Sequence, residues 1–234
     1  AIKESILKRA SVGDYSYTFI GDDFYDAIIN WNKRRFDVYI EKDWIKLTFG
    51  TVSTLHYIVQ AYTKEGEGVL INTPAYDPFA EAVVNNNRKL CCSSLKLDNN
   101  RYYLDLEDME NQMKYENIRL LIFCSPQNPS GRIWTKEELY QVSELCLKYN
   151  VILVSDEIDR DIIFKYYRFV SLWNAHPEIY KNSIICVSPN KGFNLGGLKT
   201  SYVLIRDVKI RETLLERLKS NSITSPNVFA IPAI

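Results

Sequence analysis

The chain has 234 residues, of which 46% are hydrophobic and 25% are charged, so it is long enough to bury the core of one large domain. Its 29 basic residues balance its 29 acidic residues. The formal net charge is therefore zero, and it gives no electrostatic reason to expect nucleic acid or a membrane surface as a partner. This composition excludes a disordered chain, a collagen-like fibre, a disulfide scaffold and a membrane span.

Short apolar runs alternate with amphipathic stretches almost from end to end. Their length and β-branched content favour buried strands. In chain order, the predicted strands are residues 44–49, 69–72, 90–95, 120–124, 151–155, 184–187 and 202–205. Strands that alternate with helices predict a single α/β domain, with a mainly parallel central sheet and helices on both faces.

Two of the amphipathic stretches predict helices with defined starts. Apolar residues recur at helical spacing over Asp22–Phe36, where Asp22 or Asp23 is the candidate N-cap. The second helix is predicted over residues 135–149, and it begins with Thr135 and Glu138 in the spacing of a capping box.

The five cysteines and two histidines form no metal or disulfide pattern. No two cysteines have C-x-x-C spacing, and three of the five lie inside apolar segments. We therefore expect free thiols in a reducing cytoplasm and no metal site.

Polar segments follow five of the predicted strands at their carboxyl ends, where open α/β sheets bind ligands. These segments are residues 50–53, 73–76, 125–131, 156–157 and 188–192. They place a helix start, a tyrosine, an amide, a carboxylate and a lysine on one rim of the sheet.

Each of these groups alone has an ordinary structural interpretation as a turn, a cap or a surface charge. Neither G-x-G-x-x-G nor G-x-x-x-x-G-K-[ST] is present, so the two common nucleotide fingerprints are excluded. Together the groups point to pyridoxal phosphate. That cofactor needs an amine, an anion beside its pyridinium nitrogen and a phosphate cradle.

Several segments also match a known pattern, in order along the chain. Residues 124–139 read C-S-P-Q-N-P-S-G-R-I-W-T-K-E-E-L, and residues 188–199 read S-P-N-K-G-F-N-L-G-G-L-K. They resemble N-P-H-N-P-x-G-R-x-W-T-x-E-E-L and S-P-S-K-T-F-N-L-A-G-L-K of the PatB-type C–S lyase (cystathionine β-lyase) group. That group belongs to the fold-type-I pyridoxal-phosphate enzymes of the aminotransferase superfamily. Residues 155–158 and the upstream segments 14–18 and 23–45 resemble the same group.

The resemblance implies a role for each matching residue. Lys191 would bind the cofactor covalently and later move the Cα proton, while Asp156 would pair with the pyridinium nitrogen. Asn128 would hydrogen-bond the ring oxygen, and Tyr76 would stack on the ring. The implied phosphate contacts are Gly50, Thr51, Val52, Ser188, Lys199 and, from the second subunit of a homodimer, Tyr17.

Three positions depart from the group's pattern. Asp159 replaces a histidine that contacts the cofactor, and Gln127 and Gly192 replace a histidine and a threonine. The aminotransferase relatives carry tyrosine at the position of Asp159. A second carboxylate there would repel the ring oxygen unless it is protonated or turned away, and this counts against normal activity.

The resemblance also implies a longer polypeptide. Family members have an additional N-terminal segment and a C-terminal portion, which completes a small domain and supplies an arginine for the substrate carboxylate. We therefore expect residues 1–234 to form the cofactor-binding large domain with part of the N-terminal helical segment and without the small domain. We expect this chain alone to bind the cofactor weakly and turn over slowly.

The implied activity is cleavage of cystathionine or related sulfur amino acids to pyruvate, ammonia and a thiol by a cytoplasmic homodimer. Residues 132–134 and the region of Trp31 and Trp44 favour this lyase interpretation. One alternative is a class I/II aminotransferase, which uses the same residues. Another is a non-catalytic fragment or regulatory module on the same fold.

Overall fold

Nine β-strands and eight α-helices alternate along the chain, and the computed structural model describes all 234 residues. The strands are β1 (Ile45–Thr48), β2 (Gly68–Thr73), β3 (Lys89–Ser94), β4 (Lys96–Asp98), β5 (Arg101–Tyr103), β6 (Ile118–Cys124), β7 (Ile152–Asp156), β8 (Ser183–Val187) and β9 (Ser201–Leu204). The helices are α1 (Ile2–Ser11), α2 (Asp22–Phe36), α3 (Thr51–Tyr62), α4 (Asp77–Val84), α5 (Leu106–Tyr115), α6 (Lys136–Lys148), α7 (Leu172–Ala175) and α8 (Val208–Ser220).

Seven of the strands form one sheet in the order β1-β9-β8-β7-β6-β2-β3. The pairs β2–β3, β2–β6, β6–β7 and β7–β8 are parallel, whereas β9 runs antiparallel to both β8 and β1. Each of the seven predicted apolar runs overlaps one of these strands. The prediction of a mainly parallel sheet is therefore confirmed.

Helices cover both faces of this sheet because the side chains of each strand alternate between the faces. Along β6, Leu121 and Phe123 point into a core shared with α2, α5, α6 and α7. Leu120 and Ile122 point into the opposite core, which is shared with α3, α4 and α8. None of the helices is both long enough and apolar enough to span a membrane.

The predicted N-terminal cap is confirmed for one of the two helices and is wrong for the other. The capping box of α6 is confirmed, since Thr135 Oγ1 accepts the Glu138 N–H at 3.1 Å and Glu138 Oε2 accepts the Thr135 N–H at 2.7 Å. The N-cap expected for α2 is wrong. The capping position is Gly21. Asp22 and Asp23 lie inside the first turn, where their negative charges interact favourably with the positive end of the helix dipole.

The antiparallel hairpin β4–β5 is a feature that the sequence analysis did not predict. Its strands are short and mostly exposed, so they carry no apolar run. Asn99 and Asn100 form its turn with φ of +46° and +60°, the left-handed values that a two-residue hairpin loop requires. All five cysteines are free, as expected.

Candidate active site

The first turn of α3 faces a cleft of about 710 Å³ at the carboxyl ends of the parallel strands. Gly50 precedes this turn with φ +100°, a value that a residue with a side chain rarely adopts. The first N–H groups of a helix have no partner within it, and here they belong to residues 51–53. The Thr51 hydroxyl is also buried without a hydrogen-bond partner. These donors and the helix dipole form a cradle suited to a phosphate.

The position of this cradle is fixed by the pairing of β1 with β9. Thr48 and Ser201 are register partners, and their hydroxyls lie 2.7 Å apart. The same Ser201 hydroxyl accepts the Gly50 N–H at 2.9 Å. Lys199, two residues before β9, lines the cleft beside Gly50. Its positive charge therefore complements an anion held at the start of α3.

Asp156 ends β7 on the floor of the cleft, and only 4% of its surface is exposed. Its Oδ1 accepts the Ile158 N–H at 3.2 Å. Burial raises the pKa of Asp156 to about 7, and the negative charges of Asp159 and Glu157 add to this rise. A carboxylate in such surroundings gains most from a cationic ligand that contacts it directly.

The loop that follows β7 is anchored by a buried ion pair that the sequence analysis missed. Arg160 Nη1 donates to Glu157 at 3.3 Å, and neither side chain is exposed. Glu157 also accepts hydrogen bonds from Ser171 Oγ and from the Leu172 N–H. Arg160 Nη2 donates to Asn32 of α2 at 2.8 Å. The only signal in the sequence was the opposite charge three residues apart, which is more common on exposed surfaces.

Lys191 lies in the turn after β8 and lines the cleft together with Asp156. Ser188, at the start of this turn, is buried behind the cleft wall. Its hydroxyl donates to the Thr200 carbonyl at 2.7 Å and accepts the Asn190 N–H at 3.1 Å. Ser188 thus braces the lysine turn and does not line the cleft, and its predicted phosphate contact stays a prediction.

The presence of glycine at position 192, directly after Lys191, has a steric explanation. A Cβ atom on Gly192 would lie 2.9 Å from Asp161 Cβ, closer than real Cβ contacts allow. Asp161 is held in this place by the Trp31 indole, which donates to its Oδ1 at 2.9 Å. The threonine of the relatives therefore does not fit at this position unless Asp161 moves.

Asn128 and Tyr76 come from the loops after β6 and β2, and both line the cleft. Gln127 joins these two loops, because its Nε2 donates to the Pro74 carbonyl at 2.6 Å and its Oε1 accepts the Ser130 N–H at 2.8 Å. The Tyr76 ring is partly exposed and makes an edge contact with Phe79. Gln127, which stands where the group's pattern has a histidine, thus fixes these two loops to each other.

The cleft brings together most of the residues predicted for the site. These are Gly50, Thr51, Val52, Tyr76, Asn128, Asp156, Asp159, Lys191 and Lys199. Tyr17 lies outside the cleft and is 87% exposed, so its predicted contact with a second subunit stays a prediction. The sequence analysis did not assign nine further lining residues to the site, namely Phe49, Ser53, Leu55, Phe79, Cys124, Ile158, Asn190, Asn194 and Gly196. All nine lie within four residues of a predicted site residue along the chain, which was the available signal.

The mostly parallel sheet, the helix-start cradle and the lysine turn are those of a fold-type-I pyridoxal-phosphate enzyme. The family model for aminotransferase class I and II matches residues 1–231, and the chain belongs to this family.

Among the curated relatives, cystathionine beta-lyase PatB of Bacillus subtilis (strain 168) is 34% identical over 100% of this chain and 60% of its own length. Protein MalY of Escherichia coli (strain K12) is 28% identical over 99% of this chain and 59% of its own. The chain thus spans about 60% of the length of these relatives.

Two solved structures are similar throughout the chain. A PLP-bound putative aminotransferase from Clostridium difficile 630 has a TM-score of 0.96 at 37% identity, with 99% of this chain and 60% of that one covered. Cystalysin from Treponema denticola, which contains pyridoxal 5'-phosphate, has a TM-score of 0.94 at 31% identity, with 99% and 60% covered. These comparisons confirm the predicted resemblance and fold class. The domain assignment stays a prediction.

Proposed function

We propose that the protein to which this chain belongs is a pyridoxal-phosphate-dependent C–S β-lyase. Its substrates are cystathionine or related sulfur amino acids, and its products are pyruvate, ammonia and a thiol. The observation that carries the proposal is the placement of Lys191 and the buried carboxylate of Asp156 in one cleft with the start of α3. Two relatives with this pattern are named for the same chemistry, PatB as a cystathionine beta-lyase and a Staphylococcus hominis protein as a PLP-bound C-S lyase.

The residues of the cleft fit this cofactor at both of its ends. The unpartnered Thr51 hydroxyl and the free N–H groups after Gly50 supply donors for a phosphate, and Lys199 adds a positive charge. At the other end, Asp156 forms no ion pair within the chain and burial raises its pKa, so a contacting cation would favour its charged form. When bound, pyridoxal phosphate supplies an electron sink for the Cα–H bond of the substrate.

The chain's own side chains then have separate tasks. The Lys191 amine would anchor the cofactor and would accept the Cα proton of the substrate. Asp156 would hold the pyridinium nitrogen and would stay ionised there, because that cation would offset the cost of burying the carboxylate. Asn128 and Tyr76 orient the ring from one side of the cleft.

The segment that favoured the lyase in the sequence has a structural role. Arg132 pairs with Glu138 and donates to the Tyr102 carbonyl at 2.8 Å. Trp134 is buried, and its indole donates to the Cys124 carbonyl at 2.9 Å. Preference for the lyase over the aminotransferase therefore rests on the relatives, and the assay below separates the two.

We also propose that the protein acts as a homodimer in the cytoplasm. Tyr17 and Phe19 are 87% and 92% exposed, and such aromatic side chains are common at subunit interfaces. A second copy that covers these two side chains would bring Tyr17 toward the phosphate site of its partner subunit, as predicted.

The first test is the absorption spectrum of the purified chain with added pyridoxal phosphate, beside Lys191→Ala and the surface control Lys209→Ala. We expect a visible band in the parent and the control and no such band in Lys191→Ala. The same band in all three proteins contradicts the assignment of Lys191.

The second test is pyruvate release from cystathionine. Release without an added keto acid supports the lyase, whereas turnover that depends on a keto acid supports the aminotransferase. Binding of the cofactor without either reaction favours the non-catalytic module. Turnover at the full rate of a complete lyase contradicts the expectation that this chain alone is slow.

A further inference from the structure

Asp159 is the one departure from the relatives that places a charge in the cleft. It lines the cleft with Lys191, and it also lines the adjoining cavity with Asn128. No N–H or O–H group of the chain donates to its carboxylate, and no basic side chain is in contact with it. This carboxylate is only half-buried and makes no hydrogen bond or ion pair within the chain, so it is available to a cationic group in the cleft.

The backbone of the loop that carries Asp159 is fixed by its neighbours. The next residue, Arg160, is fixed in the core by Glu157 and Asn32. Two backbone hydrogen bonds close the turn around Asp159, from the Arg160 N–H to the Glu157 carbonyl at 3.2 Å and from the Ile162 N–H to the Asp159 carbonyl at 3.0 Å. Arg160 points into the core, whereas the side chain of Asp159 lines the cleft.

Among the charged side chains that line the cleft, Asp159 is the one that remains available as a counter-ion of Lys191. The charged and titratable side chains that line the cleft are Tyr76, Cys124, Asp156, Asp159, Lys191 and Lys199. In the proposed function Asp156 is committed to the pyridinium nitrogen and Lys199 to the phosphate. Asp161 lies behind Gly192 and already accepts the Trp31 indole N–H.

We propose that Asp159 is the electrostatic partner of the Lys191 nitrogen and keeps that nitrogen positively charged when it carries the cofactor. This inference rests on the proposed function. Burial raises the pKa of Asp159, and the charge of Lys191 counteracts that rise. A histidine or tyrosine at this place has no negative charge at neutral pH and cannot exert the same effect. The charge of Asp159 thus keeps the Lys191 nitrogen positively charged up to a more alkaline pH.

The experiment is a pH titration of the visible band of the cofactor-loaded chain, with Asp159→Asn, Asp159→Glu and the exposed control Asp98→Asn. Removal of one negative charge from the cleft that holds this nitrogen lowers the midpoint by about one to two pH units. We expect this shift in Asp159→Asn and a midpoint near that of the parent in Asp159→Glu and Asp98→Asn. An unchanged or raised midpoint in Asp159→Asn overturns the proposal.

A second measurement needs no cofactor and separates this inference from the proposed function. The cofactor-free chain is acylated at mildly alkaline pH with an N-hydroxysuccinimide ester, and modification of Lys191 is compared with that of the exposed Lys3 by mass spectrometry. Because only the neutral amine reacts, loss of the Asp159 charge accelerates acylation of Lys191 by about three- to ten-fold. An equal ratio in the parent and in Asp159→Asn overturns the pairing, even where no visible band forms and the proposed function fails.

Discussion

Replacement of Asp156 by asparagine is expected to stabilise the cofactor-free chain at neutral and alkaline pH. The carboxylate is buried at the end of β7, where its Oδ1 accepts only the Ile158 N–H. Asparagine keeps an oxygen at this place for the same hydrogen bond and removes the charge. The change therefore isolates the cost of burying that charge.

The magnitude follows from the pKa of Asp156, which burial raises from 3.8 to about 7. The folded chain binds this proton more tightly than the unfolded chain does. The stability that the proton confers is complete below the unfolded value and is lost as the pH rises through the folded value. A difference of about three units corresponds to about 4 kcal/mol in the free energy of unfolding.

The assay is urea denaturation of the parent and Asp156→Asn at several values between about pH 4 and about pH 8. The stability of the variant relative to the parent should rise by about 4 kcal/mol across this range. Asp98→Asn, an exposed change on the β4–β5 hairpin, should give no such trend. A difference between parent and Asp156→Asn that stays flat over the whole range refutes the reasoning.

Three further changes test other parts of the structure. Arg160→Leu leaves Glu157 charged and buried without its partner, so it should lower the free energy of unfolding by about 3–5 kcal/mol, and addition of Glu157→Gln should restore part of this loss in urea denaturation. Thr135→Ala removes the capping box of α6 and should lower the thermal midpoint by an amount equivalent to about 1 kcal/mol; no change in calorimetry contradicts this role. Gly50→Ala forces a side chain into the left-handed region and should cost about 1–3 kcal/mol of stability and weaken phosphate binding in isothermal titration, so unaltered phosphate affinity counts against the cradle.

The strands of the main sheet could be predicted because buried parallel strands are continuous apolar runs, as β6 and β8 show. The hairpin β4–β5 could not, since its exposed residues alternate without a core to face. The order of the strands was also beyond the sequence. In particular, the antiparallel placement of β9 beside β1 depends on contacts between segments more than 150 residues apart.

The rim of the site was predictable because each residue followed a strand at its carboxyl end, which places Asp156 and Lys191 on the same edge of the sheet. Side-chain direction was not predictable from that rule. Ser188 follows β8 as the rule requires, yet its hydroxyl is directed toward the Thr200 carbonyl. The anchoring of the Asp159 loop by Glu157 and Arg160 was hidden as well, because buried charges are exceptional and appear in a sequence like exposed ones.

The hydrogen bonds of Ser201 also set a time at which the phosphate cradle can form. Its hydroxyl holds Gly50 in place from 151 residues further along the chain, and β9 completes the sheet edge beside β1. During synthesis the start of α3 emerges long before its brace, because ribosomes add about 5–20 residues per second. The cradle therefore stays without its brace for about 8–30 seconds after residue 50 is made, and cofactor capture at this end has to wait for the synthesis of β9.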